Sequence, residues 1–123
     1  MDRKLRKASH SVYSLKVHLV WITKYRYAVI GREMAIRIRD LIRQDCDRLD
    51  IQIISGIVSK DHVHIFISYP PKISISEIVK TLKGRSSKKI QQEFLELKRR
   101  YWGQRFWGIG YGAFSYIYQI SPA

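Results

Sequence analysis

The residues best placed to do chemistry stand together at Asp61-His62-Val63-His64. In an extended strand, side chains two apart leave the same face about 6.6 Å from each other at the backbone. The spacing predicts that His62 and His64 converge on one ion or one phosphate, while Val63, Ile65 and Ile67 face the opposite side. The bland alternative is a pair of surface imidazoles that share no ligand. Asp61 adds a carboxylate that can orient a ring or serve as a base. Two imidazoles do not complete a metal site: a transition-metal or magnesium-type centre also needs a carboxylate, an amide oxygen or substrate phosphate oxygens. Other histidine patterns fit less well, because Phe66 takes the next alternate position and no H-E-x-x-H helix is present. His10 and His18 remain as further candidates, His10 within a basic N-terminal arm over residues 1–11.

A second feature is a run of bases. Residues 80–105 contain Lys80, Lys83, Arg85, Lys88, Lys89, Lys98, Arg99, Arg100 and Arg105 against the acids Glu93 and Glu96, nine bases to two acids and a local +7. Helical spacing puts Lys80, Lys83 and Ser87 on the side away from Ile75, Val79 and Leu82, where they can follow a phosphate backbone. Arg85, Lys88, Lys89 and Arg105 extend this candidate nucleic-acid-binding set. A merely solvated helix face is the competing reading, and the charge of the whole chain weighs against it. Tyr101, Trp102, Phe106, Trp107 and Tyr111 lie close by, and unpaired bases stack on such rings. Some of these rings must nonetheless belong to the core.

Patterning along the chain supplies the elements that would position these groups. Residues 12–24 alternate, with Leu15, Val17, Leu19 and Trp21 on one face and Lys16, His18 and Lys24 on the other, which predicts a strand. From residue 33 to 49 the apolar period changes to three and four, through Met34, Ile38, Leu41, Ile42, Cys46 and Leu49, and predicts an amphipathic helix. Two β-rich runs follow, IQIISGIVS with Gly56 at a tolerated kink or bulge, and HVHIFISY ending at Pro70 and Pro71. Their short link predicts a hairpin. Ser74 and Glu77 have capping-box spacing and open a second helix that runs past Gly84 towards Phe94. The aromatic, glycine-rich RFWGIGYGAFSYIYQI reads as a last strand, with Phe114, Tyr116 and Tyr118 of one parity. The order strand, helix, strand, strand, helix, strand predicts an α+β, ferredoxin-like βαββαβ fold: two helices on one face of an antiparallel sheet, the other face free.

With 123 residues the chain makes a single domain, and 46% hydrophobic with 12% aromatic residues is ample for one core. Twenty-three Lys and Arg against ten Asp and Glu give a net charge of +13. Such a field attracts polyanions, nucleic acid first among them. The single cysteine, Cys46, excludes an internal disulfide framework and a cysteine zinc cluster. The basic start lacks the apolar stretch of a signal peptide, and no run approaches the ~20 apolar residues of a membrane span. The expectation is a soluble, cytoplasmic protein.

At this point four segments resemble a known family, the HUH-type single-tyrosine transposases of small insertion sequences, the IS200-like transposases. The segments are HLVWITKYRY, KDHVHIFIS, IVKTLKGRSSKKI and WGIGYGAFS, in the family's order from Val12 to Ser115. The resemblance implies a homodimer that binds imperfect single-stranded DNA hairpins and cuts the strand beside them. It implies that His62 and His64 hold Mg²⁺ or Mn²⁺ to polarise the scissile phosphate, that Asp61 matches the acidic residue before the pair, and that a tyrosine attacks to give a phosphotyrosine and a free 3′ hydroxyl.

One departure follows from the same resemblance. In the family, the strand ending GYGAFS is followed by a turn and a helix that carries the nucleophilic tyrosine, with a metal-ligating glutamine four residues later. This sequence continues YIYQISPA, and none of its tyrosines has glutamine four residues on. Tyr116 and Tyr118 remain as nucleophile candidates in a strand-like context. The expectation is a chain lacking the family's C-terminal helix, and the alternative to a nicking and rejoining enzyme is an inactive relative that only binds DNA hairpins.

Overall fold

The computed structural model describes residues 15–97 and 105–115, together with the strand backbone of 6–8 and 11–13. Two short strands, β1 (Arg6–Ala8) and β2 (Ser11–Tyr13), pair antiparallel in a small sheet of their own. The main sheet is built from β3 (Leu15–Ile22), β4 (Gln52–Val58), β5 (His62–Tyr69) and β6 (Gly112–Ser115) in the order β4-β5-β3-β6. All its pairings are antiparallel. With α1 (Arg32–Arg48) after β3 and α2 (Ile75–Glu93) after β5, this is the ferredoxin-like arrangement that the sequence predicts.

Two of the predicted boundaries change. The strand predicted over 12–24 begins at Leu15, and Ser11–Tyr13 pair with Arg6–Ala8 instead. Lys24 leaves the sheet altogether, because Lys24–Arg26 form a 3₁₀ turn. The last strand is also shorter than its aromatic run: Trp107 makes an isolated bridge to Thr23, and regular pairing with β3 starts at Gly112.

Alternation and period decide the core. Val17, Leu19 and Trp21 of β3 and Val63, Ile65 and Ile67 of β5 are buried under Ile38, Leu41 and Cys46 of α1 and Ile78, Leu82 and Ile90 of α2. Each such aliphatic burial contributes about 1.5–3 kcal/mol. Phe106 and Trp107 join them at 0% and 1% exposure, so these two rings of the sequence's aromatic cluster serve the core. Tyr111 remains exposed, and Tyr101 and Trp102 lie outside the described residues.

Local chemistry sets the helix ends. At the start of α2 the Ser74 hydroxyl accepts the Glu77 N–H at 3.1 Å and donates to the Glu77 carboxylate at 3.0 Å. At the end of α1, Asp50 adopts a left-handed φ of 59°. The Ile51 N–H then reaches the Cys46 carbonyl at 2.8 Å and the Asp50 N–H reaches that of Asp47, which turns the chain straight into β4. The helices are tied by Asp45, 1% exposed, which accepts from Arg48 Nη2 at 2.9 Å and lies 3.4 Å from Arg85 Nε. Burial raises its carboxyl above the usual range, against the downward pull of Arg85 and Arg48. In β4 a bulge between Ile53 and Ser55 precedes Gly56, whose hydrogen faces Ile65; a Cβ there would come within 3.1 Å of Ile65 Cγ2. Among the described residues no helix is long and apolar enough to cross a membrane.

Candidate functional site

The strand parity puts His62 and His64 on the face that the helices leave open, since Val63, Ile65 and Ile67 between and beyond them are buried. The two rings find different partners. His62 Nδ1 is 2.8 Å from Asp61 Oδ1. That hydrogen bond is the main reason the Asp61 carboxyl is held below its ordinary range, with Arg26 and Lys60 adding to it. An ionised carboxylate can only accept, so the proton of this bond belongs to His62 Nδ1, and Nε2 is the nitrogen left to face outward. His64 Nε2 instead lies 3.2 Å from Nδ1 of His18, across the β3–β5 pair. The His18 ring is in turn stacked on Phe66, with centroids 4.2 Å apart and planes 11° from parallel. A shallow cavity of about 220 Å³ opens here, lined by His18, Ser55, Gly56, Ile57, His64 and Phe66.

The segment TKYR builds the floor under Asp61. Thr23, fully buried, takes its backbone N–H to the Asp61 carbonyl at 2.9 Å, and its hydroxyl donates to the Tyr27 carbonyl at 2.7 Å. Tyr25 and Arg26 both adopt left-handed φ values, 57° and 55°. Such conformations cost non-glycine residues roughly 1–2 kcal/mol each, and here they bring Arg26 Nη2 to 3.6 Å from Asp61 Oδ2. The turn after β3 therefore holds the acidic residue that orients His62.

A metal ion is compatible with part of this donor set. Ligating histidines ordinarily donate their second N–H to a carboxylate, and His62 does so towards Asp61. His64 stands on the same face, and because magnesium and manganese favour oxygen ligands, two imidazoles alone would leave such an ion needing oxygen donors. Among the described residues no group of three or more His, Cys, Asp or Glu side chains is assembled to hold an ion. The sheet thus offers a two-imidazole fraction of a centre, to be completed by phosphate oxygens or a further ligand.

The basic residues divide in a way that the helical pattern does not reveal. Lys80 and Lys88 are exposed. Lys83 Nζ donates to the carbonyls of Gly108 and Gly110, both at 2.8 Å, and burial together with the neighbouring Arg105 lowers its pKa. Arg85 turns towards α1, where it meets Gln44 and Asp45. The Ser87 hydroxyl accepts from Gln91 Nε2 and from the Phe106 N–H, both at 3.0 Å. Lys89 is half-buried and Arg105 exposed. Lys83, Ser87, Lys88 and Arg105 line one groove of about 480 Å³ between α2 and residues 105–110, floored by Trp107. Tyr116 and Tyr118 lie outside the described residues.

Sequence reasoning named His18 only as a further candidate and missed Arg26 and Thr23. Its available signal was parity, since His18 falls on the open face of β3. The register that sets it beside His64 is not a local property of either segment.

Comparison with known proteins gives a consistent result. The profile of the family described as "Transposase IS200 like" matches residues 11–119. The chain is 33% identical over 108 residues to the ISDra2 transposase TnpA of Deinococcus radiodurans, covering 88% of this chain and 77% of that protein. It is 30% identical over 106 residues to the transposase for insertion sequence element IS200 of Salmonella typhimurium, covering 86% and 70%. A crystal structure of a Deinococcus radiodurans protein described as a transposase superposes with a TM-score of 0.82 at 31% identity, over 91% of this chain and 86% of that one. The REP-associated tyrosine transposase bound to a REP hairpin shares the fold, with a TM-score of 0.64 at 12% identity, over 93% and 63%.

Proposed function

Because the chain belongs to the IS200-like transposase family, we propose that it acts on single-stranded DNA at hairpin ends, through a site in which Asp61 and His62 position a phosphate beside His64. The observation that carries this reading is the Asp61–His62 bond on the open sheet face, buttressed by Arg26 and Thr23. Support for a hairpin ligand comes from a protein of the same fold bound to one and from the +13 charge.

In the proposed chemistry, His62 and His64 would hold Mg²⁺ or Mn²⁺, which when bound supplies Lewis-acid polarisation of the scissile phosphate. A tyrosine oxygen attacks phosphorus as the bond to the 3′ oxygen breaks. The products are a 5′-phosphotyrosine and a 3′ hydroxyl that takes up the proton. Rejoining reverses the exchange with another 3′ hydroxyl, so one phosphodiester is conserved throughout. Asp61 acts by fixing the tautomer and direction of His62. The groove beside α2, with Lys83, Ser87, Lys88 and Arg105, follows the strand's phosphates, with Lys80 and Lys89 farther along the helix. Arg85 serves this surface indirectly, by holding α2 to α1. The working unit is a homodimer in the cytoplasm.

A second reading rests on one sequence fact: no tyrosine among the 123 residues has glutamine four residues on. On that ground this chain by itself binds hairpin DNA and cleaves weakly or not at all. Incubation with a 5′- or 3′-labelled hairpin substrate and Mn²⁺, followed by denaturing electrophoresis, separates the readings. The nicking reading gives a covalent adduct on the denaturing gel, and the binding-only reading gives DNA retarded on a native gel with no adduct. An adduct abolished by Tyr116→Phe or Tyr118→Phe would establish cleavage by the chain itself. Calorimetric titration with Mn²⁺ should show a site weakened at least tenfold in His62→Ala and His64→Ala; unchanged binding would remove the histidines from the metal site.

A further inference from the structure

Each imidazole of the pair has one ring nitrogen tied to a neighbouring side chain. For His62 the partner is the carboxylate of Asp61. His64 has a partner of another kind, since its Nε2 lies 3.2 Å from Nδ1 of His18. Register sets His18 opposite Phe66 and Val20 opposite His64, so the two imidazoles meet on a diagonal across β3 and β5. The His18 ring lies near parallel to Phe66, with planes 11° apart and centroids 4.2 Å apart, and it meets His64 at 62° with centroids 5.3 Å apart. Stacking on Phe66 fixes the plane of the His18 ring, and a ring nitrogen donates or accepts within that plane. Phe66 therefore aims Nδ1 of His18 at His64.

Between two neutral imidazoles, one nitrogen donates and the other accepts. With the proton on His18 Nδ1, the lone pair of His64 Nε2 would be taken and His64 Nδ1 would carry hydrogen, so neither nitrogen of His64 could ligate. With the proton on His64 Nε2, its Nδ1 keeps a bare lone pair. We infer that His18 is the positioning residue of His64: its Nδ1 accepts the Nε2 proton, fixes the tautomer of that ring and leaves His64 Nδ1 as the nitrogen offered to a divalent ion. The inference rests on the metal reading above and deepens it. The two candidate ligands then have unlike supports, a carboxylate behind His62 and a ring-stacked neutral imidazole behind His64. Partners of this kind change metal affinity by about 10–100-fold.

Two variants and one spectrum test it on the full chain. His18→Phe keeps a ring over Phe66 and removes both nitrogens, whereas His18→Asn sets an amide oxygen near the place of Nδ1. In calorimetric titration with Mn²⁺, affinity should fall about tenfold or more in His18→Phe and return to within about threefold of wild type in His18→Asn. Long-range proton–nitrogen correlation spectra of the metal-free wild type, at about pH 8 and so above the ordinary imidazole pKa, should show His64 protonated at Nε2. His18→Phe should show both tautomers. A wild-type His64 protonated at Nδ1 would overturn the inference without any variant having to fold. Unchanged or tighter Mn²⁺ binding in His18→Phe would also overturn it, as would a loss that His18→Asn does not recover, which would leave His18 a packing role only. All of these outcomes leave the metal reading standing. Failure of wild type to bind Mn²⁺ would overturn that reading and this inference with it.

Discussion

Ser86 shows how much one small polar side chain can carry. Its hydroxyl donates to the Leu82 carbonyl at 2.6 Å and accepts the Trp107 indole N–H at 2.8 Å, and serine and tryptophan are both 1% exposed. Removing it strands a buried donor, so Ser86→Ala should lower stability by about 1–3 kcal/mol in urea unfolding. Adding Trp107→Phe should cost less than the sum of the single changes, because the phenyl ring has no N–H to leave unpaired. At this scale the sequence shows what belongs to a residue's own chemistry and parity, such as His62 and His64 on one face of β5 with Asp61 beside them. It was silent about Ser86, since a serine inside a helix looks the same whether it faces water or an indole 21 residues away.

Elements explain why two lysines on one helix do different work. Lys80 and Lys83 are three residues apart on α2 and Lys88 lies five further on, and of the three it is Lys83 whose ammonium donates to the carbonyls of Gly108 and Gly110, where the latter glycine has φ +84°. Lys83→Ala should therefore reduce both stability and DNA affinity, whereas Lys80→Ala and Lys88→Ala should leave stability within about 0.5 kcal/mol. Each of the latter two should lessen the slope of log affinity against log salt by somewhat under one, measured by fluorescence anisotropy. A Lys83→Ala protein as stable as wild type would show that the tether contributes nothing. Both helices and the β4–β5 hairpin were legible because period and caps are written within each segment: Ser74 binds the Glu77 N–H as its spacing requires. The break before Leu15 was not, because residues 12–24 alternate without interruption while the pairing partner changes from β1 to β5.

For the whole molecule, charge and topology meet on different surfaces: a groove between α2 and residues 105–110 gathers Lys83, Lys88 and Arg105, and the open sheet face carries the histidines and rings. Binding to hairpin DNA should fall steeply from low to high salt, with a slope near −0.7 per single-stranded phosphate contacted; a flat response would remove the electrostatic basis of the proposal. By itself the sequence determined the order and type of the main elements, the face on which each strand residue lies, the net charge and the two-histidine motif. These depend on local periodicity and composition, which a chain carries before it folds. Only the tertiary structure decided that His18 meets His64 across 46 residues of sequence, that Arg26 and Thr23 brace Asp61, that Arg85 reaches Gln44 and Asp45 of α1, and that Phe66, His18 and Phe114 share one row. Those outcomes follow from strand register and helix docking, which arise when buried side chains from distant segments pack together, and alternation within a single strand cannot select among the registers that would preserve it.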